Sequence, residues 1–497
     1  MATSPVTGQY GDIHPMFRPE NRRHLAAILG LALAIVLGIR AYVSTLGPVL
    51  PVPVPADFSQ LDSLLKSHLM ACIRPLRDSP RDSGLREELA LAYAANGFWP
   101  EARLLFDQLS TLHPQDPLPL LYSGVAMEEL HDPAASLVLY RRVTERFPQF
   151  APGWSRLGTA ALEADSFDVA NSAFAQLRSL APQEWRGPAG AGELELRRGK
   201  PAEAIPLLER AVQLNPDAKT AHHLLGRSYL SMRRTNDASL QFALGRNAEG
   251  HPMPDAWTDR ALAHIKSRAD VLRLAKDALD EGDPATAARY YEEIQVHHPD
   301  EPELLNQLAI AYNRLNQPAR ALNLIERVLK TDPRHVAALI TAAYANSALG
   351  HHKEALALAD AAVQIAPDLA LAHLARANAF LGQNHDLEAV AALESAHRAD
   401  PSNAQLLVEL GTILWRNLDR PDAALERLES ARKLDPALVT IYPRITALYL
   451  QLDRTADANE TVEIWKLVRP RDPEIPLALA RIRSSRGSKS PQPNPSP

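Results

Sequence analysis

The stretch PELLNQLAIAYNRLNQPARALNLIERVLKTDPRH, residues 302–335, decides the fold. Leu308 and Ala309 lie mid-helix, Tyr312 follows one turn later, Ala321 opens a second helix and Pro333 closes the unit. The same arrangement recurs upstream: Trp154, Leu157, Gly158, Ala161, Ala170, Phe174 and Pro182 take the equivalent places, as do Leu225, Gly226, Tyr229, Ala238 and Phe242. The prolines carry the period. Pro80, Pro114, Pro148, Pro182 and Pro216 stand 34 residues apart, Pro299, Pro333, Pro367 and Pro401 keep that step, and Pro436 and Pro470 continue it after one extra residue. A fixed period of this size means stacked supersecondary units. Each unit is predicted to be a pair of antiparallel helices. Small residues such as Gly158, Gly226, Ala309 and Ala170 let backbones approach, Tyr229, Tyr312 and Phe174 fill the space between neighbours, and the proline stops the second helix.

These positions resemble the tetratricopeptide repeat, a 34-residue helix-turn-helix unit with Leu-Gly, Tyr, Ala, Phe and Pro at the places quoted. The resemblance runs from about Ser83 to Asp472 and implies an all-α fold, a right-handed superhelix (α-solenoid) of about eleven repeats with a long inner groove. The repeats are expected to begin at Ser83, Pro117, Ala151, Trp185, Lys219, Arg268, Pro302, Val336, Ala370, Ala404 and Val439. Residues 57–82 read as a degenerate preceding helix and 473–483 as a closing one, since the ends of a solenoid need atypical caps. The last stretch, 484–497, has no apolar residue and is expected to be disordered.

Composition agrees with this class. The 497 residues include one cysteine, 22 glycines and 40 prolines, with 46% hydrophobic and 23% charged residues. A disulfide scaffold, a zinc ribbon or a thiol redox enzyme needs cysteines in pairs or clusters, and Cys72 stands alone, read as a small buried hydrophobe. With a formal charge of −6, 53 basic residues are spread among 59 acidic ones, so no nucleic-acid partner is expected.

The N-terminus departs from the rest. After a 24-residue tail, Leu25 to Ile39 is uncharged, and Arg40 separates it from a further apolar stretch to Leu46. At about 1.5 Å per residue the uninterrupted run reaches roughly 22 Å, short of a hydrocarbon core about 30 Å thick, whereas 25–46 would cross it with Arg40 snorkelling to the interface. A single-pass transmembrane anchor is therefore expected, with a cleaved signal peptide as the alternative. Leu69-Met70-Ala71-Cys72 resembles a lipobox, but Asp62, Lys66 and His68 separate it from the apolar run. Arg18, Arg22 and Arg23 precede the span and no basic residue lies between Arg40 and Lys66, which predicts an N-terminus inside and the repeats outside the cytoplasmic membrane. A cytoplasmic orientation is the topological alternative. Residues 47–56, with Pro48, Pro51, Pro53 and Pro55, read as an extended spacer holding the next domain off the bilayer.

The phase breaks once. Repeats one to five fill 83–252, an insertion (253–267, MPDAWTDRALAHIKS) follows, and repeats six to eleven fill 268–472. Two readings stand: a loop and short helix whose Trp257 packs onto a neighbouring repeat, or a hinge with Trp257 exposed to a partner. No G-x-S-x-G, G-x-x-x-x-G-K, H-E-x-x-H or C-x-x-C-H occurs, so no enzyme is predicted. The pairs His222-His223, His297-His298 and His351-His352 lack a second ligand at i+4, so neither metal nor other cofactor is expected.

The binding surface is expected on the first helix of each repeat. Family members that clamp a peptide carboxylate carry basic and Asn side chains there, and this chain instead has Glu87 and Leu91, Leu121 and Val125, Ser155 and Thr159, Ala189 and Glu193; Asn378 is a single asparagine where a ladder needs several. What recurs is leucine one turn after the small residue: Leu162, Leu196, Leu230, Leu279, Leu381 and Leu450, with Trp415 in the same place. These are either interhelical packing or an apolar stripe for an extended segment or amphipathic helix, with Arg156, Arg227, Arg273, Arg314 and Arg444 contacting acidic groups at the rim. The expected role is a membrane-anchored scaffold that binds other proteins in its groove. The alternatives are an accessory subunit of an envelope enzyme or export complex and carbohydrate binding along the groove.

Overall fold

A computed structural model describes residues 33–35, 49–248, 250 and 252–487. Helix α1 (Ser63–Asp78) precedes five pairs: α2 (Ser83–Ala95) with α3 (Trp99–Leu112), α4 (Pro117–Glu129) with α5 (Pro133–Arg146), α6 (Ala151–Glu163) with α7 (Phe167–Leu180), α8 (Arg186–Arg197) with α9 (Pro201–Leu214), and α10 (Lys219–Ser231) with α11 (Thr235–Leu244). A short α12 (Thr258–Ala263) follows, then α13 (Arg268–Asp280) with α14 (Pro284–Gln295), α15 (Pro302–Arg314) with α16 (Pro318–Thr331), and α17 (Val336–Ala348) with α18 (His352–Ile365). The last pairs are α19 (Ala370–Gly382) with α20 (Asp386–Ala399), α21 (Ala404–Arg416) with α22 (Pro421–Leu434) and α23 (Ile441–Gln451) with α24 (Thr455–Val468), closed by α25 (Glu474–Gly487). The described residues contain no strand. Successive helices pack on one another and first helices also touch the next first helix, as α15 does α17 and α17 does α19. That is the architecture of a solenoid of helix pairs.

Local chemistry explains where the helices start and turn. Asp82, Asp132 and Asp283 cap α2, α5 and α14 by accepting from backbone N–H groups three residues on, and proline opens α4, α5, α9, α14, α15, α16 and α22, where no N–H is needed. The bend inside each pair requires one residue at positive φ. It falls on Gly97, His131, Asp165, Gly199 and Arg233, then on Gly282, Asn316, Gly350 and Asn384, then on Asp419 and Asp453, so the 34-residue step is written into the backbone.

The second helices bury a small residue at one register: Ala102, Ser136, Ala170, Ala204 and Ala238, then Ala287, Ala321, Ala355 and Ala389, then Ala424 and Ala458, none more than 2% exposed. Close approach there leaves room for large neighbours. The Phe174 ring sits between two glycines, and a Cβ on Gly158 or Gly190 would lie 2.6 or 2.2 Å from it. Polar stitches join consecutive pairs. Tyr229, Tyr312 and Tyr449 donate to Glu209, Glu292 and Glu429, each 20 residues earlier, at 2.8, 2.5 and 2.7 Å. Arg234, Arg320 and Arg454 lie over the same rings. Burial, then the Glu partner, pushes each of these phenols up to about 12.

Two expectations are corrected here and one open reading is decided. The Pro-rich segment is not a free spacer, because Val52 and Val54 pack on the first helix pair and the carbonyls of Leu50, Pro51 and Pro53 accept from Arg86 and Tyr93, Arg86 being only 1% exposed. The C-terminal tail is helical as far as Gly487, four residues into the stretch expected to be disordered; the Ser484 and Ser485 hydroxyls bond back to the carbonyls of Arg481 and Ile482, which keeps polar residues in the helix. Of the two readings of the insertion, the packed one holds: Trp257 is 3% exposed. Among the described residues no helix is long and apolar enough to cross a membrane; the expected span, 25–46, lies outside them except for 33–35, which are helical.

Candidate functional site

A cleft is built by the first helices of three consecutive pairs, α15, α17 and α19. Its volume is about 840 Å³, and Ile310, Ile340, Tyr344, Leu371 and Leu381 make its walls apolar. The periodicity explains this. Residues one turn apart on the inner faces of successive first helices share one surface, and the 34-residue step repeats it along the stack. Three polar atoms at the cleft are buried without a hydrogen-bond partner: Asn313 Oδ1, Ser347 Oγ and His352 Nδ1. They lie behind the wall rather than in the opening, and a Cβ on Gly382 would fall 2.2 Å from His352 Nδ1. Arg314 stands at the rim with Nη1 donating to the Leu279 carbonyl at 2.5 Å. Burial, followed by the nearby Glu409, holds the Tyr344 phenol above its ordinary range, and burial also pushes the Glu409 carboxyl up.

Of the residues singled out in the sequence, Arg314 and Leu381 line this cleft, together with Asn378. Arg156 and Leu162 border a second, more acidic cleft of about 480 Å³ beside Glu128, Glu163 and Glu193. The leucines do not form one exposed stripe. Leu162 and Leu279 are 2% and 5% exposed, because each packs into the core of its own array and its carbonyl caps to an arginine of the next first helix, Arg197 or Arg314. Leu196 and Leu381 are half-buried, and Leu230 is 52% exposed on α10. Trp415 is half-buried and donates to Gln451 at 2.7 Å. Arg156 is paired with Glu128 at 3.2 Å and Arg273 with Asp277 at 3.2 Å on its own helix, whereas Arg227 is exposed.

The insertion does what its sequence did not reveal. Most of it returns across the array to the first two pairs, while Ile265 packs on the core of the pair that follows and Lys266 pairs with Glu293. Trp257 stacks on Phe106 at 5.8 Å between centroids and tilts against Tyr122 at 5.1 Å, and Tyr122 donates to Asp255. Arg260 pairs with Glu87 and Glu88, and Asn96 donates to the His264 carbonyl at 2.7 Å while accepting from the N–H groups of Lys266 and Ser267. At this junction His68, Cys72 and His264 converge, with one ligand-type atom of each inside a 4.8 Å span. Cys72 packs against the core of the first helices as a half-buried residue, with the two imidazoles beside its thiol. Burial, then His264 and Lys266, pushes His68 down to about 4. The sequence held half of the signal, His68 and Cys72 at i and i+4 on one helix; the third residue comes from far along the chain.

Comparison with known proteins bears on the fold. Two family models, each described as tetratricopeptide repeat, match residues 195–263 and 278–343 and residues 155–219 and 374–439. No curated protein matches the chain. Among solved structures, a thermophilic TPR protein of Thermus thermophilus is 21% identical over 37% of this chain and 100% of its own, with a TM-score of 0.35. Yeast Tom70 is 13% identical over 82% and 96%, with a TM-score of 0.39, and MamA of Desulfovibrio magneticus RS-1 is 28% identical over 34% and 97%, with a TM-score of 0.28. The matched models lie on the same helix pairs that repeat every 34 residues, so these pairs are tetratricopeptide repeats.

Proposed function

We propose that the chain is a scaffold that takes an extended polypeptide segment of another protein into the cleft between α15, α17 and α19. The observation that carries this reading is a cleft walled by Ile310, Ile340, Tyr344, Leu371 and Leu381, with the Arg314 guanidinium fixed at its rim. Apolar side chains of the segment fill the walls, and an acidic side chain meets Arg314. The reading is one of binding, without a catalytic step. Carbohydrate binding is disfavoured because successive aromatic platforms are lacking: Tyr344 and His352 supply the only rings among the lining residues.

Selection of a displayed random-peptide library on the purified protein tests it. Enriched peptides are expected to share apolar anchors and an acidic residue, and Leu381→Glu is expected to weaken them at least tenfold, about 1.4 kcal/mol. No enrichment, or binding indifferent to Leu381→Glu and to Ile340→Glu, overturns the reading.

The proposal includes the membrane. The uncharged run 25–39, its continuation to Leu46 and the three preceding arginines support a single-pass anchor with the repeats outside the cytoplasmic membrane. Because the Leu50 carbonyl, four residues past Leu46, is already held by Arg86, the first helix pair would stand close to the bilayer, where an accessory role to an envelope enzyme or export complex is accessible. Reporters fused after Pro497 distinguish the sides: activity of a cytoplasm-dependent reporter alone overturns this placement.

A further inference from the structure

We propose that His68, Cys72 and His264 form a binding site for one zinc-type divalent ion, with Glu88 as the residue that positions His264. His68 and Cys72 face the same way one turn apart on α1, and His264 enters from the segment after α12. The His68 Nε2 and His264 Nδ1 atoms are 3.1 Å apart. In a tetrahedral zinc site with Zn–N bonds of about 2.0–2.1 Å, two ligand nitrogens stand about 3.3 Å apart, so the rings already hold one edge of the polyhedron. The thiol closes the site by a rotamer adjustment, since the ligand atoms all lie within 4.8 Å and a nitrogen–sulfur edge is about 3.6 Å for a Zn–S bond of about 2.3 Å.

The surroundings are those of a metal ligand set. His264 Nε2 lies 2.9 Å from Glu88 Oε2, a carboxylate on the far ring nitrogen that fixes the tautomer and leaves Nδ1 facing inward. Glu88 is in turn held by Arg260, and the His264 carbonyl is held by Asn96. His264 is 9% exposed. The nearby cation Lys266 is engaged by Glu293 at 2.6 Å. Thiolate with two imidazoles is a borderline-soft set that selects zinc over magnesium or calcium. On binding, the Cys72 thiol loses its proton to solvent and His68 exchanges its Nε2 proton for one on Nδ1, so both imidazoles stay neutral, one proton is released and the fourth position is left to water. The ion would clip α1 to the insertion across 196 residues of chain and so lock the returning segment onto the first helix pair.

The test uses the full chain, purified without a histidine tag and stripped with chelator. Addition of Co²⁺ is expected to give a thiolate-to-cobalt charge-transfer band that saturates at one equivalent; as Cys72 is the sole cysteine, the band identifies its ligand. Zinc is expected to displace cobalt and to raise the thermal midpoint. Cys72→Ser should abolish the band, His264→Gln should abolish stoichiometric binding, and Glu88→Gln should weaken zinc about 10–100-fold. His298→Gln should change nothing. A wild-type protein with no charge-transfer band overturns the proposal whatever the variants do, and so does a folded Cys72→Ser protein that binds zinc as the wild type does.

Discussion

At the residue scale, the 34-residue period is a packing constraint that single atoms enforce. Phe174 is held between Gly158 and Gly190, and neither side offers the ring a retreat. Gly190→Ala gains about 1 kcal/mol of helix propensity and, with its Cβ 2.2 Å from the ring, loses about 2–3 kcal/mol to overpacking, so a net loss of about 1–2 kcal/mol is expected in urea unfolding. A neutral or stabilising outcome would mean that the α6–α8 contact can open. Glu409 is the reverse case, a carboxyl whose folded value burial raises above its ordinary 4.5. The proton-bound form is favoured in the folded state, so the contribution is fully present at low pH and is lost as pH rises through the folded value. Glu409→Gln is therefore expected to raise the unfolding midpoint at pH 7 and to have no effect near pH 4, where the carboxyl is protonated with or without folding. A pH series of thermal melts checks the sign. Little of this was legible in the sequence, where Gly158 and Phe174 were visible as small and large positions but Glu409 had no pattern around it.

At the scale of elements, the helix pairs were legible and the insertion was not. Prolines, small residues and turn residues recur at fixed offsets because every unit solves the same local problem, and such regularity can be read without coordinates. The insertion obeys no period. Its docking depends on Phe106 and Tyr122, far away in sequence, and on Asn96, whose side chain satisfies three backbone groups of the returning segment. Trp257→Ala is expected to cost about 3–5 kcal/mol, as for a buried aromatic, and to make the chain between α11 and α13 protease-sensitive. Unchanged proteolysis would show that the Asn96 and Arg260 contacts hold the segment alone. The Pro-rich segment teaches the same lesson. Its prolines correctly indicated extended backbone, but only the buried Arg86 shows that this backbone is clamped.

At the scale of the whole molecule, the two arrays touch at a second place. Leu240 and Leu244 of α11 pack against the core formed by α20 to α25, and Arg246 reaches Asp435 at 3.3 Å. The ion pair is largely exposed on the arginine side and contributes about 0–1 kcal/mol, so the apolar contact carries the closure. Leu244→Glu is expected to increase the radius of gyration in small-angle scattering and to split thermal unfolding into two transitions. An unchanged scattering curve would place the closure on the insertion alone. Of the candidate surface, Arg314 and Leu381 could be chosen from the repeat register, whereas Leu162 and Leu279 in the same register are buried. The register specifies which face of a helix a residue occupies; how deeply that face is covered depends on the neighbouring helices.

By itself the sequence determined the all-helical class, the 34-residue unit and its tetratricopeptide character, because these follow from interactions within about one period of the chain. Only the tertiary structure decided where the insertion docks, which leucines remain at the surface, and that His68, Cys72 and His264 meet. The physical reason is contact distance along the chain: local sterics and helix registry act over a few turns, while the junction joins residues nearly 200 positions apart, and no pattern in a one-dimensional string records that closure.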